Sequence, residues 1–149
     1  VRNCIATQEH VAAKRSISVY FHMEGNPVPI VFDPMRMEQV ISNILSNAIK
    51  FSSDDTTIDV YYKQNTRTAV VRICDNGPGI DEKEILHIFD RYYMGRTDFE
   101  IRPEGSGLGL YIVKNIINLH KGDVSASNRS TGGSIFTLWI PATTNGKRQ

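Results

Sequence analysis

Asn43, Asn47 and Lys50 stand at i, i+4 and i+7. At about 100° per helical residue, they and Arg36 fall within roughly 40° of one line. They border an apolar stripe of Met37, Val40, Ile41, Ile44, Leu45 and Ala48. The edge of such a stripe is where a cleft beside the helix begins. Asparagine offers a carbonyl oxygen and an amide on a short stem. A hard cation such as Mg²⁺ takes oxygen ligands and keeps several waters, so one neutral protein oxygen plus phosphate oxygens suffices. Lys50 can neutralise phosphate as a flexible point charge. The plainer alternative is a solvated helix edge, with Lys50 complementing the helix C-terminus. Against it, asparagine is a poor helix former, and two of them beside a core stripe are unusual.

Asp75 begins a second cluster, Asp75-Asn76-Gly77-Pro78-Gly79-Ile80, after the apolar run Val70-Val71-Arg72-Ile73-Cys74. A carboxylate accepts hydrogen bonds and donates none. It can take one from the exocyclic amine of adenine, and it repels the carbonyl that guanine carries at that place. A site built on such a bond discriminates by orders of magnitude, because the wrong base leaves a buried charge unpaired. The same residues also make a plain turn. A third cluster, Gly105-Ser106-Gly107-Leu108-Gly109-Leu110, opens a long apolar segment. A helix start offers free amides and a positive dipole end, which suit phosphate, and glycine lets phosphate approach the backbone. The alternative is close helix packing through glycine. No Gly-Lys-Ser/Thr follows, so this is not a P-loop, and the spacing is wrong for a dinucleotide fingerprint.

The elements that must carry these residues are legible in outline. Residues 1 to about 14 read as a helix end. Ile17–Phe21 and Val28–Phe32 read as strands about a turn at Glu24-Gly25-Asn26-Pro27, the second at an edge because of Pro29. Asp33-Pro34 is a helix start, with an N-cap acid and proline at the first helical position, and that helix runs to about Phe51. Ile58–Gln64 and Thr68–Cys74 read as a strand pair joined near Asn65. Asp81 opens a short helix over Ile85, Ile88 and Phe89. Residues 90–104 show no periodicity, as expected of a functional lid or a disordered stretch. Leu108–Leu119 is a helix stopped near Lys121-Gly122. Val124–Asn128 and Ser134–Ile140 form a hairpin across Thr131-Gly132-Gly133. This pattern predicts an α+β fold, a largely antiparallel mixed sheet with helices on one face.

Composition narrows the function. A chain of 149 residues with 40 % hydrophobic residues suits one domain with a real core. A formal net charge of +1, with the basic residues scattered, argues against nucleic acid as the main partner. No apolar run approaches the roughly 18 residues of a membrane span, and no signal peptide is visible, so a cytoplasmic setting is expected. Cys4 and Cys74 provide neither metal spacing nor a disulfide framework.

From about Ile17 to Pro141 the chain resembles the catalytic ATP-binding domain of sensor histidine kinases. That domain's superfamily includes gyrase-type ATPases, mismatch-repair ATPases and a heat-shock chaperone. Gln39–Phe51 resembles the N box, Asp75–Ile80 the first glycine box, Ile88–Tyr93 the F box and Gly105–Leu110 the second glycine box. Residues 90–106 would be the ATP lid. The resemblance implies a Bergerat-type two-layer α/β sandwich. Its sheet would have five strands, mixed and mostly antiparallel, with about three helices on one face. It implies ATP and Mg²⁺ as cofactors. Asn43 would be the metal ligand, and Asn47 and Lys50 would contact phosphates. Asp75 would hold the adenine amine, with Gly77, Gly79 and Ile80 beside the base. Arg91 and Tyr93 would reach the nucleotide from the F box. Gly105, Gly107, Leu108, Gly109 and Leu110 would line the phosphates. Many relatives carry arginine directly after the aromatic pair. Here that place is Met94, and Arg96 is the candidate in its stead. Asn43, Lys50 and Arg96 form the implied catalytic set.

Water-splitting relatives place a glutamate general base where this chain has Asn43. Asparagine cannot take a proton from water, so the resemblance favours transfer to a histidine nucleophile over hydrolysis. Family phosphoacceptors are followed by an acidic residue, then a basic one. His10 is followed by Val11-Ala12-Ala13, and His22, His87 and His120 do not match either. The implied acceptor is therefore a histidine on a separate dimerisation domain, with a response-regulator receiver domain downstream. The implied division is 1–14 as linker or end of a dimerisation helix, 15–141 as ATP-binding catalytic domain, and 142–149 as a polar tail. The isolated domain would be a monomer and the whole kinase a homodimer, with an inner-membrane anchor left open. Two rival functions share these boxes: a serine kinase of the anti-sigma-factor type, and a non-catalytic nucleotide-binding module.

Overall fold

The computed structural model describes residues 1–25, 30–95 and 106–142. Its elements are α1 (Arg2–Ala13), β1 (Ser18–Glu24), α2 (Pro34–Phe51), β2 (Thr57–Gln64), β3 (Thr68–Cys74), α3 (Gly109–Leu119), β4 (Asp123–Asn128) and β5 (Ser134–Pro141). The strands form one five-stranded sheet in the order β1-β2-β3-β5-β4. Among the described residues only β1 and β2 run parallel, and the other three pairings are antiparallel. The three helices and this mixed sheet make the open α/β sandwich that the pattern predicts.

Alternation along the strands decides which face is covered. Phe21, Val60, Ile73, Phe136 and Ala126 lie side by side in register across the sheet, and they join the core. From the helical layer, Val40, Ile41, Ile44, Leu45, Ala48 and Ile49 of α2 are buried, with Val113, Ile116 and Ile117 of α3. Cys4, Ile5 and Ala12 of α1 belong to the same cluster. On the other face His22 stacks on Tyr61 at 4.6 Å, and the Arg72 guanidinium lies 5.7 Å from the Tyr61 ring centre.

Local signals set the helix ends. The Asp33 side chain accepts from Arg36 N at 3.1 Å, and Pro34 occupies the first turn, where its missing N–H costs nothing. At the end of α3 the left-handed residue is Lys121, with φ 57°, rather than the glycine after it. Gly122 is required for another reason, since a Cβ there would stand 2.2 Å from the Trp139 carbonyl oxygen. The end of α2 is closed from outside. Arg15, just beyond α1, donates to the carbonyls of Ile49, of Lys50 at 3.1 Å and of Ser52 at 2.8 Å, and its Nε reaches Asp54 at 2.7 Å. One guanidinium thus satisfies carbonyls that a helix terminus leaves without partners.

Two sequence expectations are corrected. Ile30, Val31 and Phe32, the described part of the expected strand Val28–Phe32, are in no strand. β1 takes its partner from β2 instead, in register from Ser18↔Thr57 to Glu24↔Lys63, and the Ile30–Phe32 segment leads straight into the α2 cap. The segment from Asp81 to Asp90 is a succession of turns rather than a helix. Its bonds alternate between i+3 and i+4, as at Glu84 N and Ile85 N on the Asp81 carbonyl, and never settle into one repeat. Ile88 and Phe89 still pack on the core, Phe89 edge-on to Phe136 at 6.4 Å. The expected turn residues 26 and 27, and the tail from 143, lie outside the described residues.

Replacing Arg15 with alanine should lower stability by about 1–3 kcal/mol, because it strips charge-assisted hydrogen bonds from the α2 terminus. Urea unfolding of the two proteins measures this, and an unchanged midpoint would refute the clamp.

Candidate functional site

α2 presents its polar border as the sequence pattern predicts. Asn43 and Asn47 are half-buried and Lys50 is exposed. Asn43 Nδ2 donates to the Gly109 carbonyl at 3.3 Å, which brings the middle of α2 to the first residue of α3. The eight steps from Asn43 to Phe51 cover about 12 Å of helix axis. At the far end of that span the Phe51 carbonyl oxygen would lie 2.5 Å from a Cβ on Gly77. Both glycine clusters therefore touch α2, one at each end of the same stretch. The Lys50 ammonium lies 5.2 Å from the Phe51 ring centre.

Asp75 follows the last residue of β3 and is 4 % exposed. Its Oδ1 accepts from Gly77 N at 2.9 Å and from Ser134 N at 3.0 Å, and its Oδ2 accepts from the Ser134 hydroxyl. Burying a carboxylate is tolerable only with such donors. Ile80 closes the loop, with its N–H and carbonyl both bonded to the Asn128 side chain, at 2.8 and 2.7 Å.

At the start of α3, Gly107 has φ 64°, and a Cβ there would fall 2.8 Å from the Tyr92 carbonyl carbon. Both the left-handed backbone and the crowding require glycine. The Gly107 carbonyl accepts from Tyr92 N at 3.0 Å, which ties the F-box segment to the helix start. Leu108, the N-cap residue, makes no side-chain capping bond, and its own N–H donates to the Ser106 hydroxyl at 3.3 Å. The first turn of α3 carries no acidic residue, so its dipole end keeps its positive character. Gly109 and Leu110 begin the helix, and Leu110 packs on the core. Arg91 is exposed and lies over the Tyr92 ring at 4.7 Å, with Nη2 donating to the Tyr92 hydroxyl at 2.9 Å. Tyr93 is half-buried beside His87. Arg96 and Gly105 lie outside the described residues, as does most of the expected lid.

Three residues of the site carry no local sequence signal of their own. Ser134 supplies two of the hydrogen bonds on the Asp75 carboxylate. Arg129 donates to the Asp75 main-chain carbonyl at 3.0 Å and to Asn76 Oδ1 at 2.7 Å. Asn128 holds Ile80. The available signal was Thr131-Gly132-Gly133, which by itself reads only as a hairpin turn. Cys74, one residue before Asp75, is buried, and burial pushes its thiol up against the lowering pull of Arg129 and Arg72. It is a packing residue, not a nucleophile. Among the described residues, no three His, Cys, Asp or Glu side chains gather where they could hold a metal ion.

Comparison with known proteins places the chain among its relatives. Residues 32–144 match the family model described as histidine kinase-, DNA gyrase B- and HSP90-like ATPase. The chain is 36 % identical over 132 residues to the sensor histidine kinase RcsC of Escherichia coli K12, covering 88 % of this chain and 14 % of RcsC. It is 38 % identical over 109 residues to the signal transduction histidine-protein kinase AfsQ2 of Streptomyces coelicolor, covering 73 % of this chain and 20 % of that protein. The chain therefore spans no more than a fifth of either relative's length. Among solved structures, the catalytic domain of the histidine kinase ThkA superposes with a TM-score of 0.84 at 26 % identity, over 96 % of this chain and 92 % of that one. With residues 32–144 matched, the chain belongs to the histidine kinase-, DNA gyrase B- and HSP90-like ATPase family.

Proposed function

We propose that this domain is the catalytic part of a sensor histidine kinase. It would transfer the ATP γ-phosphoryl group to a histidine on a separate dimerisation domain, for relay to a receiver domain. The observation that carries the reading is the meeting of Asn43 with Gly109 at 3.3 Å. It sets a neutral amide oxygen beside the uncapped start of α3, where phosphates would sit. With Nδ2 turned to the Gly109 carbonyl, the Asn43 side chain would offer its Oδ1 to a cation. That donor suits Mg²⁺ whose remaining ligands are phosphate and water. Mg²⁺ would neutralise charge on the phosphates as they part. Asn47 and Lys50 extend the same face, and Lys50 would supply positive charge toward the phosphates. Arg91, Tyr93 and Arg96 would close over the nucleotide from the F box and lid.

Asp75 would read the base. Its neighbours Gly77, Gly79 and Ile80 form a wall held at both ends, so the carboxylate meets a purine edge without rearrangement. Nothing at position 43 can act as a base toward water, which supports transfer over hydrolysis. Three of the chain's four histidines are engaged elsewhere, and His10 lies exposed on α1. His22 pairs with Asp59 at 2.8 Å, His87 with Asp90 at 3.0 Å, and His120 Nε2 accepts from Asp33 N at 3.1 Å. This supports an acceptor supplied by another domain. On this reading residues 1–14, whose Cys4, Ile5 and Ala12 pack on the catalytic core, would lead toward that domain, with 15–141 as the rest of the catalytic unit and 142–149 as a tail. No helix among the described residues is long and apolar enough to cross a membrane.

The direct test is transfer of label from γ-labelled ATP to an added dimerisation domain. An acid-labile phosphoprotein is expected, and an acid-stable one would mark a serine kinase instead. Asp75→Asn should weaken ATP binding at least about tenfold, since the amide turns an N–H toward the base where an acceptor is needed. Its carbonyl can keep the two main-chain bonds, so the fold should hold, and calorimetry showing unchanged affinity would remove the adenine assignment. Asn43→Ala should abolish Mg²⁺-dependent transfer while the thermal midpoint stays close to that of the parent. Full transfer by that variant would remove the metal role.

A further inference from the structure

The end of β4 and the turn that follows it grip the Asp75–Ile80 loop at both ends. At the far end Asn128 bonds the Ile80 N–H and carbonyl together. At the near end a single nitrogen of Arg129 serves two acceptors, the Asp75 carbonyl at 3.0 Å and Asn76 Oδ1 at 2.7 Å. Asn76 in turn donates from Nδ2 to the Thr57 carbonyl at 2.7 Å and hydroxyl at 3.2 Å, so the relay ends on β2. The base of Arg129 is itself fixed, because its N–H donates to the Gly133 carbonyl at 2.9 Å. Gly133 has φ 89°, and a Cβ there would stand 2.0 Å from the Asp75 carbonyl oxygen. The two segments therefore run in direct backbone contact.

We propose that Arg129 is a positioning residue for purine recognition, setting the direction in which the Asp75 carboxylate meets the base, with Asn128 holding the opposite limb of the loop. The proposal rests on the reading of Asp75 as the base contact. Arg129 bonds to no oxygen of that carboxylate. It holds the peptide between Asp75 and Asn76, and the orientation of that peptide fixes the Asp75 Cα–Cβ bond. A hydrogen bond weakens steeply as its angle departs from linear. A small rotation of this peptide therefore costs base recognition more than it costs packing. Phosphate contacts at the start of α3 belong to another element and are left alone. Asn128 acts in the same sense from the other side, and the Gly79 backbone lies so close that a Cβ there would come within 2.9 Å of Asn128 Oδ1.

The test compares ATP with purine riboside triphosphate, which lacks only the exocyclic amine, by calorimetry on the whole chain. The parent should prefer ATP. Arg129→Met should lose about fivefold or more of that preference, with affinity for the deamino analogue little changed. Arg129→Lys should restore it, since one ammonium has donors enough for both acceptors. A parent that binds both nucleotides equally overturns the reading of Asp75 and this proposal with it. A parental preference that survives intact in Arg129→Met overturns this proposal alone. So does an equal loss for both nucleotides, which would mark a merely structural role. If Arg129→Met does not fold, Asn128→Ala carries the same comparison, and an undiminished preference there overturns the clamp.

Discussion

A carboxylate in the interior is the constraint around which this domain is arranged. Asp75 is 4 % exposed, and an acidic side chain so far from water is tolerated only where donors replace the solvent. Three converge on it, from Gly77 N, Ser134 N and the Ser134 hydroxyl. Each of these depends on something larger. Ser134 stands opposite Asp75 because β3 and β5 are antiparallel neighbours, in register up to Cys74↔Ile135. Gly77 can turn back because no side chain blocks it against the end of α2. The sheet order, the hairpin and the α2 terminus are thus all tied to one acidic side chain.

α2 carries the second half of the site by serving two masters along one helix. Its inner stripe is buried among core residues, which locks its rotation. That rotation aims Asn43 and Asn47 along the border of the core and leaves Lys50 outside. Apolar burial of about 25 cal/mol per Å² makes the locked rotation stable without any contribution from the polar border. The border is therefore free to be selected for chemistry. Arg15 binds the last carbonyls of this helix, so the end of α1 is joined to the element that bears Lys50 and touches Gly77.

Helices and strands with a strong period were legible in the residues alone. α2 and α3, the β2–β3 pair and the last hairpin all lie where alternation or the 3.6-residue stripe puts them. Val28–Phe32 and the Asp81 segment depart from the sequence pattern for one shared reason. Each is a short apolar run, and short runs have no period that distinguishes a strand or a helix from a loop pinned by burial. Ile88 and Phe89 are held by the core without being helical, and β1 found its partner across α2 rather than in the next apolar stretch.

The same division holds for the site. Asp75, the asparagines and the glycine clusters were legible because each uses residue types that are costly unless they serve a purpose: asparagine in a helix, a carboxylate at a strand end, glycine where a helix begins. Residue type and local spacing therefore determined the candidate chemistry and the helices and strands that bear it. Arg129, Asn128 and Ser134 are ordinary in their local sequence, and they lie 48 or more residues from the groups they hold. Only folding decided that they matter. Hydrogen-bond geometry across a sheet depends on which strands become neighbours, and that pairing is an outcome of packing the whole core.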